Sequence, residues 1–448
     1  MPSVRSLIGE EAHEVLSLRA WGWLPDPRRW PAQVAVFALA FAVPVVGLIS
    51  PQAVQVALFV AAAAAAITLG LDGRLLARLA PMMRSPWLAL AVILMVFVAL
   101  QSLRFVDGQS LGDAAQRPLL IAALVVLVAF VAALRDELAA ELRLSGYLQS
   151  GLVVGAGLLV ALLIYQLIVM TLAPPPWHDR LAKNVREINR YLEISAILVF
   201  LLAAIPGRHR QLVLLAAAIY AASLVAVGYW PPNQQITRVA SDTVQLGMPI
   251  ALAVLAAAHR WPRTACGAVF GIIGGYMALA PWLHAVAFRA LPWVIPFRRD
   301  LILDRAEIWA GVAARVRDGS WQEFLLGRGR EFLRFDANFP IDGTYAKELP
   351  FHPHNMVLQL WLDMGLAGVL LLLAFLWLLH ECVATAAAQR RPGLLACFVM
   401  LMLSCAVTHS LWQMWFLSVV MATLALLIGV SGVPLVPGSG AASSQSKH

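Results

Sequence analysis

Apolar stretches long enough to cross a lipid bilayer recur along the chain from residue 32 to residue 429, and this repetition constrains the fold more than any single motif. They run approximately 32–49, 52–71, 87–103, 118–134, 147–173, 191–205, 212–229, 244–258, 265–283, 355–379, 394–410 and 411–429. Lipid offers no hydrogen bonds, so a segment within it must satisfy its own backbone, and continuous apolar runs do so as helices. The expectation is an all-α polytopic membrane protein with about 12 transmembrane helices. Two divisions are weak, at Ser50–Pro51 and around His409–Trp412. With 61% apolar and only 13% charged residues, the composition lies well outside the range of soluble domains.

The short connections orient these helices. Arg28 and Arg29, Arg74 and Arg78, Arg208 and Arg210, Arg260 and Arg263, and Arg390 and Arg391 all fall on one face, which the positive-inside rule makes cytoplasmic. Both termini then lie in the cytoplasm. The expected divisions are an amphipathic segment at 1–31, spans one to nine within 32–283, a large outer loop at 284–354, spans ten to twelve within 355–429, and a disordered tail at 430–448. Residues 1–31 hold no uninterrupted apolar core of a cleaved signal peptide.

The outer loop closes on His352-Pro353-His354-Asn355, immediately before an apolar run. Pro353 disfavours helix at His352 and pre-sets a helix start, so the helix is expected to begin at His354 or Asn355. At 100° per residue His354, Leu358, Trp361 and Gly365 share one face, with Gly365 about 16 Å deeper. A glycine there permits close approach of another helix. The first-turn N–H groups and the helix dipole favour an anion beside a neutral His354. The spacing itself carries little, because 10 His and 30 Gly in 448 residues give about 0.67 such pairs by chance. Its position where water meets the bilayer carries more. A lone interfacial histidine serves more often as an anchor or a helix cap, and His352 reads as a neighbour bonded to the loop.

Cations on the outer face oppose the orientation signal. Arg180, Lys183, Arg186 and Arg190 crowd the loop 174–190, either paired with headgroups or kept to bind an anionic substrate. The large loop is nearly neutral. Within it Asp304–Arg317 reads as an amphipathic helix with a stripe of Leu301, Ile308, Val312 and Val316, and Gly327-Arg328-Gly329 as a turn. Gly267, Gly271 and Gly275 imply close helix packing. Asp363, costly in lipid, is expected to pair with an arginine or with Gln413. The four cysteines fall in or beside apolar segments, which argues against a disulfide framework or a zinc site. The net charge of +8 is spread around spans and points to anionic lipid or substrate, not nucleic acid.

The dominant outer loop, Arg305 and Trp309, Gly327-Arg328-Gly329, and the His-x10-Gly pattern at His354 and Gly365 together resemble bacterial O-antigen ligases, of the O-antigen ligase and polymerase superfamily. The resemblance implies a class C type, metal-independent, inverting glycosyltransferase with no cofactor. It would move a glycan from undecaprenyl pyrophosphate to a sugar hydroxyl of lipid A core at the periplasmic face of the inner membrane, completing lipopolysaccharide. His354 would be catalytic. Arg190, Arg238, Arg305, Arg186 and Arg328 would bind pyrophosphate or substrate, supported by His352, Asn355 and Gly365. The family's arginine followed four residues later by leucine has no clean match: Arg190 precedes Ile194, and Arg238 precedes Asp242. A polymerase or a protein O-glycan transferase of the same superfamily would share these residues. A lipid-linked glycan flippase is disfavoured, because the arginines cluster at one face and no paired broken helices occur.

The residue types suit that chemistry. A departing pyrophosphate needs charge stabilisation, which guanidinium groups supply by bidentate hydrogen bonds. No Asp-x-Asp is present to hold a divalent cation. The acceptor hydroxyl is a weak nucleophile and gains from a neutral imidazole base.

Overall fold

The structure is a computed structural model and describes residues 34–45 (except 36), 53–71, 86–103, parts of 147–161, 190–204, 215–223 (except 222), 239–294, 299–329, 352–407, 409 and 413–431. Among them every regular element is helical and no strand occurs. In chain order the principal helices are α1 (Ala53–Leu71), α2 (Pro86–Leu103), α3 (190–199, tightening into a 3-10 turn at Phe200–Ala204), α4 (Val239–Arg260), α5 (Pro262–Val294), α6 (Arg299–Arg317), α7 (Trp321–Leu326), α8 (Met356–Thr385), α9 (Arg391–Val407) and α10 (Met414–Ser431).

Two of these, α8 and the Pro262–Ala287 portion of α5, are long and apolar enough to cross a membrane. Their outward surfaces agree. Ile272 and Val286 on α5 and Trp377 on α8 are 72%, 68% and 63% exposed. An outward belt of large apolar side chains is a liability in water and ordinary in lipid. The inward surfaces form one continuous core. Here α8 packs on α5, α6, α7 and α2, while α9 packs on α4 and on the 3-10 turn that ends α3. Gly393 makes the last contact possible, since a Cβ there would strike the backbone of Ala203 and Ala204.

Several expectations change. Helix α5 runs past residue 283 to Val294, so the segment after it begins later than the hydropathy pattern indicates. A Cβ placed on Gly267, Gly271 or Gly275 would meet nothing within 4 Å, so that stripe makes no close packing among the described residues. The amphipathic helix is present as α6, with Ile308, Val312 and Val316 buried along its stripe. The division near His409 falls between Val407 and Met414.

The largest change concerns α8, which does not begin at His354 and is not straight. His354 lies outside the helix at φ 54, and Gly365 interrupts it at φ 61, ψ −160. The two residues therefore do not share a helical face. A backbone turned out of the helix at Gly365 frees carbonyls that lipid cannot satisfy. Gly327-Arg328-Gly329 satisfies them from outside. The Arg328 N–H donates to Leu362 O at 2.8 Å and the Gly329 N–H donates to Asp363 O at 3.1 Å. Gly365 does admit a close neighbour, but the neighbour is the end of α7 and its following turn, not a transmembrane helix.

Candidate functional site

The His-Pro-His-Asn segment is held at each of its four residues. Asn355 is the N-cap of α8, its Oδ1 accepting from the Val357 and Leu358 N–H groups at 3.0 Å each. Those donors are thus engaged by the cap, and the expected anion site at the first turn is not free as drawn from the sequence. The Asn355 Nδ2 donates to the Tyr276 hydroxyl of α5 at 2.8 Å and lies 3.3 Å from His284 Nε2. Tyr276 and His284 are themselves 3.1 Å apart. The carbonyl of Pro353 accepts from Trp309 Nε1 of α6 at 2.9 Å, and the Trp309 ring stands edge-on to His284. Further along α8, the buried Trp361 donates from Nε1 to Met277 O at 2.7 Å. A loop that would otherwise fray is therefore bolted to α5 and α6.

The opposite side of the segment leads into the buried helical core. The His354 N–H donates to His352 Nδ1 at 3.2 Å, and the two rings lie 4.1 Å apart. His352 Nε2 is 3.2 Å from the Gln413 amide, which is also 3.2 Å from His409 Nδ1. His409 Nε2 closes the chain on Glu193 Oε2 of α3 at 2.7 Å. Both ends of that last pair are almost wholly buried, Glu193 at 1% and His409 at 5% exposure. A buried carboxylate needs such a partner to be tolerated.

His352 is held well below its ordinary value of 6.5, at about 4, first by burial and then by the positive charge of Arg305 and by His409. It is therefore neutral at neutral pH, as its role as an acceptor from His354 requires.

Among the expected arginines, two join this cluster. Arg305 on α6 is buried, donates from Nη1 to Val407 O at the end of α9 at 3.5 Å, and acts electrostatically on His352. Arg190, at the start of α3, places its guanidinium carbon 4.9 Å above the Trp415 ring, and that ring meets His409 edge-on at 4.8 Å. Arg328 is engaged differently, 3.1 Å from Glu323 in the capped helix α7, with its backbone on α8. Arg186 and Arg238 lie outside the described residues, as do Arg180 and Lys183. Gln413 joins His409 to His352, and the Asp363 carbonyl takes the Gly329 N–H.

Glu193, His409, Tyr276 and His284 were not singled out from the sequence. Glu193 carried a signal, because it is the one acidic residue in the apolar run 191–205. Ionisable groups at such positions need a partner and often have a function. No group of three or more His, Cys, Asp and Glu side chains is arranged to hold a metal ion among the described residues.

No protein-family model matches the chain, and no solved structure matches it. Curated proteins do match in part. Rickettsia conorii has a protein named "Putative polysaccharide ligase", 28% identical over 116 residues, or 25% of this chain and 28% of that protein. A protein of the same name from Rickettsia felis is 29% identical over 120 residues, again 25% of this chain and 28% of the relative. One from Rickettsia typhi is 28% identical over 99 residues. This chain is distantly similar to polysaccharide ligases. The likeness spans about a quarter of the length of these curated relatives, and supports a ligase-type glycosyltransferase only at that coarse level.

Proposed function

We propose that the protein is an O-antigen ligase, an inverting glycosyltransferase of the bacterial inner membrane. It transfers a glycan from undecaprenyl pyrophosphate to a sugar hydroxyl of lipid A core. In this reading the chain spans the membrane about 12 times with both termini cytoplasmic, and the segment before α8 faces the periplasm. The observation that carries the reading is one linked cluster before an apolar helix, in which His354 bonds His352, Arg305 acts on His352, and Arg190 joins over Trp415, His409 and Gln413.

The chemistry follows from the groups assembled. The acceptor oxygen attacks the anomeric carbon as the bond from that carbon to the pyrophosphate oxygen breaks. The hydroxyl proton passes to the His354 imidazole, and a single displacement inverts the anomeric centre. Negative charge accumulating on the polyprenyl pyrophosphate is met by guanidinium groups, those of Arg305 and Arg190, with Arg238 and Arg186 as further contributors. Permanent charge on arginine supplies what a divalent cation supplies elsewhere, so the reaction requires no metal and no cofactor. The apolar spans and surrounding membrane lipids hold the polyprenyl chain.

The test is direct. Purified protein given undecaprenyl-pyrophosphate glycan and lipid A core is expected to form the joined product in the presence of EDTA. His354→Ala, still folded, is expected to lose the product. Inhibition by EDTA, or full activity in His354→Ala, would falsify the mechanism, and lengthening of the lipid-linked glycan in place of transfer to lipid A core identifies a polymerase.

A further inference from the structure

The hydrogen bonds between Glu193 and His354 have a direction, and two of the five groups impose it. A peptide N–H can only donate and a carboxylate can only accept, whereas histidine and glutamine can do either. At one end, the His354 N–H donates to His352 Nδ1. A neutral imidazole carries one N–H, so the proton of His352 sits on Nε2 and must be donated to Gln413. The structure turns Gln413 Nε2 toward His352 Nε2 and Gln413 Oε1 toward His409 Nδ1, the reverse of what this donor order needs. A half-turn of the amide exchanges the two atoms, and without it His352 would have to accept at both ring nitrogens, so the donor order sets the Gln413 oxygen toward His352 and its nitrogen toward His409. With the amide so turned, His409 accepts at Nδ1 and donates from Nε2 to Glu193. Every donor finds an acceptor, and the chain runs one way, from the surface loop to a buried carboxylate.

We infer that Glu193, His409 and Gln413 are positioning residues, which fix the tautomer of His352 and through it hold the backbone of His354 in the left-handed conformation from which its ring faces substrate. The inference rests on His354 being the base of the proposed transfer. Three features of the molecule support it. The chain ends on the peptide N–H of His354, so it bears directly on the posture of the main chain there. His354 is the one non-glycine residue with positive φ among those described, a conformation that persists only where the surroundings enforce it. The anchor lies deep, with the His409 ring packed at 4.0 Å on Phe416 and edge-on to Trp415, so it cannot easily move.

The tautomers can be read without any variant. Full-length protein labelled with nitrogen-15 histidine, in lipid nanodiscs at neutral pH, is expected to show His352 and His409 neutral and protonated on Nε2. A proton on Nδ1 of either ring, or an imidazolium at His409, overturns the chain. Gln413→Met, nearly the same size but unable to bond, is expected to give His352 as a mixture of both tautomers. The same variant is expected to lower kcat for glycan transfer about ten- to a hundredfold, with KM for both substrates changed by no more than about threefold. A folded Gln413→Met protein with wild-type kcat overturns the positioning role. Wild-type protein that transfers no glycan refutes the ligase reading instead, and the nitrogen shifts still decide the hydrogen-bond chain.

Discussion

Gly327 and Gly365 meet backbone to backbone, each at positive φ and each where a Cβ would strike main-chain atoms of the opposing segment. Neither relief route is open, because backbone cannot swing aside as a flexible side chain can. Gly365→Ala is therefore expected to destabilise the folded protein by about 2–4 kcal/mol, combining left-handed strain with overpacking. Gly327→Ala should cost a similar amount, and the double variant less than the sum, since both break one contact. Thermal melting in detergent checks this, and strictly additive losses would contradict a shared contact.

Acidification should weaken the fold through His352. Its folded value near 4 lies below its ordinary 6.5, so an unfolded chain binds the proton first. The contribution of the neutral ring is complete above pH 6.5 and is lost as pH falls toward 4. Melting temperatures measured across that window should decline in the wild type and decline less in His352→Asn. Identical profiles would show that the ring is not buried in the neutral form.

Replacing Arg305 should act at two places. Arg305→Gln removes a charge that holds His352 down, so the His352 titration should move upward. The same change should reduce kcat/KM for the lipid-linked donor about 10- to 100-fold, the range of one charge-assisted hydrogen bond. Arg305→Lys should restore the titration and only part of the rate, because an ammonium cannot reproduce the bidentate fork. Histidine NMR and donor kinetics on the same preparations separate the two effects, and an unchanged donor kcat/KM would remove Arg305 from the pyrophosphate site.

Trp309→Phe keeps an aromatic ring beside His284 and deletes the donor to the Pro353 carbonyl. An acceptor left unpaired in a partly buried site costs about 1–3 kcal/mol. The expected result is a lower melting temperature with slower transfer at saturating substrate. A variant equal to the wild type in both would show that α6 does not restrain the loop.

Much of this arrangement was legible in the residues. Pro353 and the apolar run after it placed the start of α8 within two residues, because both act locally. The stripe on α6 was equally plain, since its period of 3.6 is local too. The kink at Gly365 was not. Its cause is a turn at Gly327–Gly329, far away in the chain, whose N–H groups take the freed carbonyls. The pairing of Glu193 with His409 was hidden for the same reason, and so was the role of Gln413, whose sequence neighbours say nothing about His352. Hydropathy also hid the true end of α5, because His284 and Arg289 interrupt the apolar run over its last turns.

The turn of the main chain at His354 shapes how that residue can be interrogated. Glycine, asparagine and aspartate tolerate a φ of 54, whereas alanine and the β-branched residues resist it. Alanine therefore deletes the imidazole and also invites the peptide to relax, confounding chemistry with posture. Asparagine removes the base alone. The gap in rate between the two replacements measures what the bend itself is worth to the reaction.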